Sequence, residues 1–408
     1  MLPIIESSFE TPLGNNWDEL QTALALYKVA LRTNHAFHLE TSSPLATVEW
    51  NLDPNLFPVL HHLPSASSAL SRLVAKHGAA LRSHHSLERV SNERIGIFVG
   101  TSSLLGLEEI SPSFVQNKEE HWEATKNYIS QWQSPGQAVQ VGIQAVNDYF
   151  SHRFSGSFGL NQVVSTACSS SAWAIAQAGM AIEAGLIDFA IAGGVDVLSA
   201  IPIKGFECLQ LLDPNPTRPF ERSRAGINLG EASALFLLGK NTSAPPVTSF
   251  FLSGWGASSD AYHITQPDPS GKGMKRAMVA SMERAKVCAD SIDYINTHGT
   301  GTPANDSAEL NALQDTFGSL SHFPVLEASK SFHGHCLGSA GAIEALVTLA
   351  RLHKRLEGLK NPPEMLRDLA STDPKRLEGK PIWHGLSNSF GFGGNNVCLT
   401  FSYHEAQR

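Results

Sequence analysis

Cys168 lies in Val163–Ser171 (VVSTACSSS), between a β-prone run and an alanine-rich one. That order predicts a strand, a turn, and a helix over Ser169–Ala184. A thiol at a helix N-terminus sits among unpaired N–H groups, at the positive end of the helix dipole. The expectation is a thiolate-prone nucleophile. A lone cysteine is as readily a small core residue, so the downstream residues decide. His298 opens His298–Thr302 (HGTGT), whose glycines allow close backbone approach to a ligand and whose threonines offer hydroxyls. Asp306 and Glu309 follow on a predicted helix. Lys330–His335 (KSFHGH) passes into Leu337–Gly341 and another helix. His333 and His335 with His298 could hold a metal. Alternatively an imidazole acts as hydrogen-bond donor or base while Lys330 organises the site. A lysine among apolar and small residues needs a partner, and Glu309 is the carboxylate expected to supply it. Asn388–Gly394 (NSFGFGG) is a glycine-rich turn without the lysine and helix of a phosphate-binding loop. One of its N–H groups could complete an oxyanion hole with the N–H of Cys168.

These residues need a frame. Helices are expected at Trp17–Leu31, Ala66–Leu81, Gly136–Phe150, Gly273–Ala285, Asp306–Phe317 and Ser339–Leu356. Strands are expected at Arg94–Thr101, Gln162–Thr166, Asp188–Val197, Ser249–Ala257, Ser291–Asn296 and Asn396–Ser402. Gly185 should stop the helix that follows Cys168. Alternating strands and helices imply an α/β protein with a parallel, doubly covered sheet. Asn241–Thr248 (NTSAPPVT) reads as a crossover between two halves, each of strand–helix–strand character.

The 408 residues carry 38 acidic and 30 basic side chains, a net charge of −8. No basic footprint for nucleic acid is present. No run reaches membrane-spanning length and no secretory leader is evident, so neither a membrane nor export is expected. Five cysteines without paired spacing fit a reducing, cytoplasmic compartment.

In order, TACSS, HGTGT, the Lys-Ser-x-x-Gly-His-x-x-Gly string from Lys330 and NSFGFGG resemble the β-ketoacyl-acyl-carrier-protein synthases, the condensing enzymes of fatty acid and polyketide synthesis. Arg218–Glu231 and Ser259–Thr265 add to the resemblance, which covers roughly residues 92–402. It implies a thiolase-like fold, with duplicated halves in a five-layered α-β-α-β-α arrangement. Residues 1–245 would carry the nucleophile and residues 246–408 the histidines. It implies that Cys168 accepts an acyl chain, and that His298 and His335 assist malonyl decarboxylation. Lys330 and Glu309 would organise the site, and Thr300 and Thr302 would contact the phosphopantetheine arm. Phe392 would be the gate, its N–H serving the oxyanion hole. No cofactor or metal is implied, because the substrates ride on the phosphopantetheine of an acyl carrier protein. That carrier is one partner; the other is a second copy or a chain-length-factor-like subunit.

Lys204, Arg218, Arg222, Lys272, Lys275 and Arg276 are candidates for the carrier surface, with Arg72 and Lys76 in an early helix. The chain-length pocket is expected near Ser102–Leu107. Leu160, Asn395, Arg224-Ala225-Gly226 and His333 depart from the family pattern. They point to a specialised type II polyketide system, such as an aryl polyene pathway, rather than housekeeping fatty acid synthesis. Two other readings stay open: a structural chain-length-factor-like subunit, and a coenzyme A-dependent member of the thiolase superfamily.

Overall fold

A computed structural model describes residues 1–26, 28–32, 43–50, 53, 69–102, 137–151, 156–240, 250–320, 323–356, 362–367, 369 and 380–405. The expected crossover at 241–248 and the chain-length segment beyond Ser102 lie outside them.

The first half comprises β1 (Leu2–Glu10), α1 (Trp17–Ala25), α2 (Ala69–Arg82), β2 (Ile95–Gly100), α3 (Gln137–Ser151), β3 (Leu160–Val164), α4 (Ser170–Glu183), β4 (Phe189–Asp196), α5 (Ala200–Cys208) and β5 (Ala232–Gly239). The second comprises β6 (Phe250–Ser259), α6 (Lys272–Ala285), β7 (Tyr294–Asn296), α7 (Pro303–Phe317), β8 (Val325–Glu327), α8 (Ala340–His353), β9 (Ile382–Gly391) and β10 (Asn395–His404). Strand order is β3-β2-β4-β5-β1-β6-β10-β9-β7-β8. The order of the first five strands is repeated, reversed, in the last five. Leu2 and Pro3 of β1, opposite Leu252 and Phe251 of β6, join the two sets.

The sheet is mixed rather than parallel. β2 runs parallel to β3 and β4, and β7 parallel to β8 and β9. β5 is antiparallel to β4 and β1, and β10 to β9 and β6. The reason is in the connections. A tight glycine turn after β9 can only return the chain antiparallel. Four strands, β1, β5, β8 and β9, lie outside the expected set. β5 (ASALFLLG) is buried at every position, so it shows none of the alternation that marks a half-exposed strand. The first helix ends at Ala25, six residues short of the expected end at Leu31.

α4 and α8 pack on each other between the two half-sheets. α2 and α3 cover the outside of one, and α6 and α7 the outside of the other. These are the five layers expected. Alanines of α4 and of α8 share one core with Leu252, Leu399 and Phe401. Small side chains let the two central helices approach closely: a Cβ added at Gly341 would fall only 2.8 Å from that of Ala172. Cys168 just before α4 and His335 just before α8 are thereby brought face to face.

Candidate active site

Cys168 sits in the turn between β3 and α4. Ala167 before it adopts φ 54°, a left-handed conformation costly for a residue with a Cβ. Hydroxyls hold the turn: Ser169 Oγ donates to the Thr166 carbonyl (2.8 Å) and Ser170 Oγ to the Ala167 carbonyl (2.6 Å). Strain held by such over-determination is typical of functional turns. The Phe392 N–H lies beside the Cys168 sulfur, where it favours the thiolate. Gly391 lies against the same turn, where a Cβ would fall 3.0 Å from the Thr166 carbonyl oxygen and 3.2 Å from the Cys168 nitrogen. One expectation is corrected. Cys168 is 7 % exposed, and burial pushes its thiol up to about 11, against the lowering influence of Lys330 and the Phe392 N–H. The helix proper starts two residues later, at Ser170, so desolvation outweighs the helix terminus and the resting group is the thiol.

The two expected histidines meet. His298 and His335 are buried, with ring centroids 5.5 Å apart and planes at 86°. Burial first, and then the Lys330 charge, hold both well below the ordinary imidazole range, so both are neutral. Each has its Nδ1 occupied by a donor. The Lys330 ammonium lies 3.1 Å from Nδ1 of His298, and the Leu337 N–H donates to Nδ1 of His335 at 3.1 Å. A neutral imidazole whose Nδ1 accepts carries its hydrogen on Nε2. Leu337 takes φ 52° to make its contact. The His335 backbone is pinned by the string resembling the family's: its N–H donates to the Asn228 carbonyl (2.7 Å), and the Gly230 N–H donates to its carbonyl (2.9 Å). A cation shared by these rings would face the Lys330 ammonium, which disfavours the metal reading. His333 does not line the cavity shared by Cys168, His298 and His335.

The partner of Lys330 is corrected. Lys330 is 1 % exposed and pairs with Glu344 on α8. It also donates to the His298 carbonyl at 2.6 Å. Glu309 instead accepts the backbone N–H groups of His298 (2.8 Å) and Gly299 (2.9 Å) and the Asn388 side-chain amide (3.1 Å). Burial raises its carboxyl to about 7, with those three donors opposing. Glu309 thus shapes the histidine loop. Glu344, a lone acid in the apolar run Ala340–Ala350, was the missed residue, and its isolation there was the available sign.

A cavity of about 370 Å³ reaches these groups and is lined by Cys168, His298, His335, Thr300, Thr302 and Phe392 among others. The hydroxyls of Thr300 and Thr302 are 2.9 Å apart. The Phe392 ring packs on Phe206 of α5 with centroids 5.7 Å apart. Its turn is held by Asn395, whose amide donates to the Phe392 carbonyl (3.0 Å), and by the Gly393 N–H on the Ile264 carbonyl (2.7 Å).

Of the basic candidates, Arg222, Lys272 and Arg276 are exposed. Lys204 pairs with Glu207 (2.6 Å), Arg218 with Asp213 (3.5 Å) and Lys275 with Asp315 (3.8 Å). Arg276 donates to the Ser259 carbonyl at 2.8 Å. Arg72 is half-buried, and Lys76 is buried against Glu10 and unavailable to a carrier.

The sequence matches the beta-ketoacyl synthase N-terminal domain over residues 18–244 and its C-terminal domain over 250–357. A 3-oxoacyl-[acyl-carrier-protein] synthase 2 of Staphylococcus aureus is 30% identical over 329 residues, covering 77% of this chain and 76% of that protein. Nodulation protein E of Rhizobium meliloti is 34% identical over 295 residues, 69% of this chain and 72% of its own. Among solved structures, a chain of the ketosynthase ApeO–chain length factor ApeC complex of Xenorhabdus doucetiae matches with TM-score 0.76 and 29% identity, over 98% of both chains. A beta-ketoacyl synthase from Burkholderia phymatum matches with TM-score 0.78 and 26% identity, over 99% of both.

Proposed function

The chain belongs to the beta-ketoacyl synthase family, and we propose that Cys168, His298 and His335 carry out its decarboxylative condensation. As a member it is an acyltransferase that forms carbon–carbon bonds, a β-ketoacyl-acyl-carrier-protein synthase. The observation that carries the assignment of roles is the single cavity on which Cys168, two Nε2-protonated imidazoles and the Phe392 N–H converge.

In the first half-reaction the Cys168 sulfur attacks the thioester of an acyl chain on the carrier's phosphopantetheine arm. The N–H groups of Phe392 and Cys168 receive the developing oxyanion. The pantetheine thiol leaves with the proton the cysteine gives up, and the acyl chain remains on Cys168. In the second, the thioester carbonyl of malonyl-carrier protein accepts from the Nε2–H groups of His298 and His335. Carbon dioxide departs, and its bonding pair forms an enolate held by those donors. The enolate carbon attacks the acyl thioester of Cys168 and the thiolate is expelled, giving a chain two carbons longer. Lys330 keeps Nδ1 of His298 an acceptor, Glu309 fixes the loop, and Thr300 and Thr302 line the path of the arm. The thiol stays protonated until substrate arrives, which protects it from adventitious electrophiles.

The working unit pairs this chain with a chain-length-factor-like subunit and serves a specialised type II polyketide system of the aryl polyene kind. The likeness to the ApeO–ApeC complex supports this, as do the departures at Asn395 and His333. No described helix is long and apolar enough to cross a membrane, and all five cysteines are free. We place the reaction in the cytoplasm. The test is intact-mass analysis after incubation with a panel of acyl-carrier proteins, with and without the candidate partner. An acyl adduct absent from Cys168→Ala supports the reading. An adduct formed by a stable homodimer alone overturns the heterodimer, and no adduct under any condition overturns the catalytic role.

A further inference from the structure

His333 is a fully buried imidazole that the condensing chemistry above does not use. It stands one residue from Gly334, whose φ of 68° turns the chain so that His333 and His335 diverge. His335 enters the cavity, while His333 points into the body of the second half. There the neighbouring donors and acceptors select one tautomer for the ring. The Asn296 amide donates to the Glu344 carbonyl at 3.2 Å, so Asn296 Oδ1 is the atom facing Ser329. The Ser329 hydroxyl donates to that oxygen at 2.9 Å. A hydroxyl has one hydrogen, so Ser329 Oγ must accept from His333 Nε2, 3.1 Å away. Nδ1 is left as an acceptor; the Cys336 sulfur lies 3.8 Å from it and donates its hydrogen to the His333 carbonyl at 3.5 Å. The result is a one-way chain of hydrogen bonds: His333 to Ser329 to Asn296 to the backbone of Glu344.

Every link abuts a catalytic group. Ser329 immediately precedes the short helix Lys330–His333. Asn296 ends β7 two residues before His298. Glu344 is the partner of Lys330. The chain runs only if His333 is neutral, and burial together with the Lys330 charge lowers it to about 3.

We propose that His333 is a positioning residue. Through Ser329 and Asn296 it fixes the turn that carries Lys330 and the strand end that carries His298, and so sets the donor geometry at the decarboxylation site. The inference rests on the condensing reading above. It bears first on the malonyl half-reaction, because none of the linked residues lines the cavity beside Cys168. Leucine at 333 fills a similar volume without a donor, whereas the amide nitrogen of glutamine can reproduce Nε2–H.

The experiment measures carbon dioxide release from malonyl-carrier protein beside acylation of Cys168, in folded full-length variants checked by thermal melting. His333→Leu should slow decarboxylation about tenfold while acylation stays within about twofold. His333→Gln should recover to within about threefold of wild type. Ser329→Ala should match His333→Leu, and the double variant should be no slower than either single one. Decarboxylation unchanged in His333→Leu overturns the proposal. So does an equal loss of both half-reactions that glutamine does not rescue. A wild-type protein that releases no carbon dioxide would instead overturn the condensing reading.

Discussion

Replacing Lys330 by methionine should separate stability from chemistry at one residue. Its ammonium donates to the His298 carbonyl at 2.6 Å, lies 3.1 Å from His298 Nδ1, and pairs with Glu344. Methionine keeps an unbranched side chain and donates nothing. His298 can then carry its proton on Nδ1, leaving Nε2 a lone pair where the enolate oxygen needs a donor. Losing one oxyanion donor costs roughly 10²–10³ in rate, about 2.7–4 kcal/mol. Stranding the buried partner of an ion pair costs about 3–5 kcal/mol of stability. Burial already raises the Glu344 carboxyl, so it can neutralise by taking a proton, and the low end, about 3 kcal/mol, is expected. Adding Glu344→Gln removes the stranded charge. It should return most of the stability and none of the decarboxylation. The assay pairs thermal unfolding with carbon dioxide release from malonyl-carrier protein. A Lys330→Met enzyme decarboxylating within about threefold of wild type would refute the tautomer argument, as would a double variant that regains the rate.

Three further outcomes are expected. Alkylation of Cys168 by iodoacetamide should rise about tenfold per pH unit from pH 7 to pH 9, because the thiol form dominates below a pKa of about 11; a rate that plateaus by pH 7 would contradict this. Gly391→Ala brings a Cβ to 3.0 Å from the Thr166 carbonyl oxygen and 3.2 Å from the Cys168 nitrogen. It should slow acyl transfer by about 10²-fold, read by adduct formation, with the melting temperature little changed. Lys76→Met should strand Glu10 and lower stability by about 3–5 kcal/mol in a denaturant titration, without weakening carrier-protein binding.

The residues that do chemistry were more legible than the frame holding them. Cys168 and His298 announce themselves because each lies in a turn between a strand and a helix, and His335 because it follows a glycine turn ahead of a long helix. Such turns are local and leave a local pattern. The partner of Lys330 is not local. Glu309 and Glu344 are both buried acids on helices near the site, and only the packing of α8 behind Lys330 decides between them. Lys76 is one of only two basic candidates in the early helix, and its side chain turns inward to Glu10. β5 and β9 escaped notice because strands covered on both faces lose their period, and β9 was hidden behind the conspicuous turn at its end. The thiol at Cys168 was misjudged because helix-terminus effects can be read from sequence order, whereas desolvation depends on what closes over the sulfur.

The most direct test of the central claim is a single turnover. Protein pre-acylated at Cys168 is mixed with malonyl-carrier protein, and carrier-bound product and carbon dioxide are followed together. The account predicts one equivalent of carbon dioxide per acyl group, loss of the Cys168 adduct, and a β-ketoacyl chain two carbons longer on the carrier, with His298→Ala and His335→Ala retaining the adduct unchanged. An adduct that is released by hydrolysis, or that persists in wild type while malonyl-carrier protein stays intact, would contradict it.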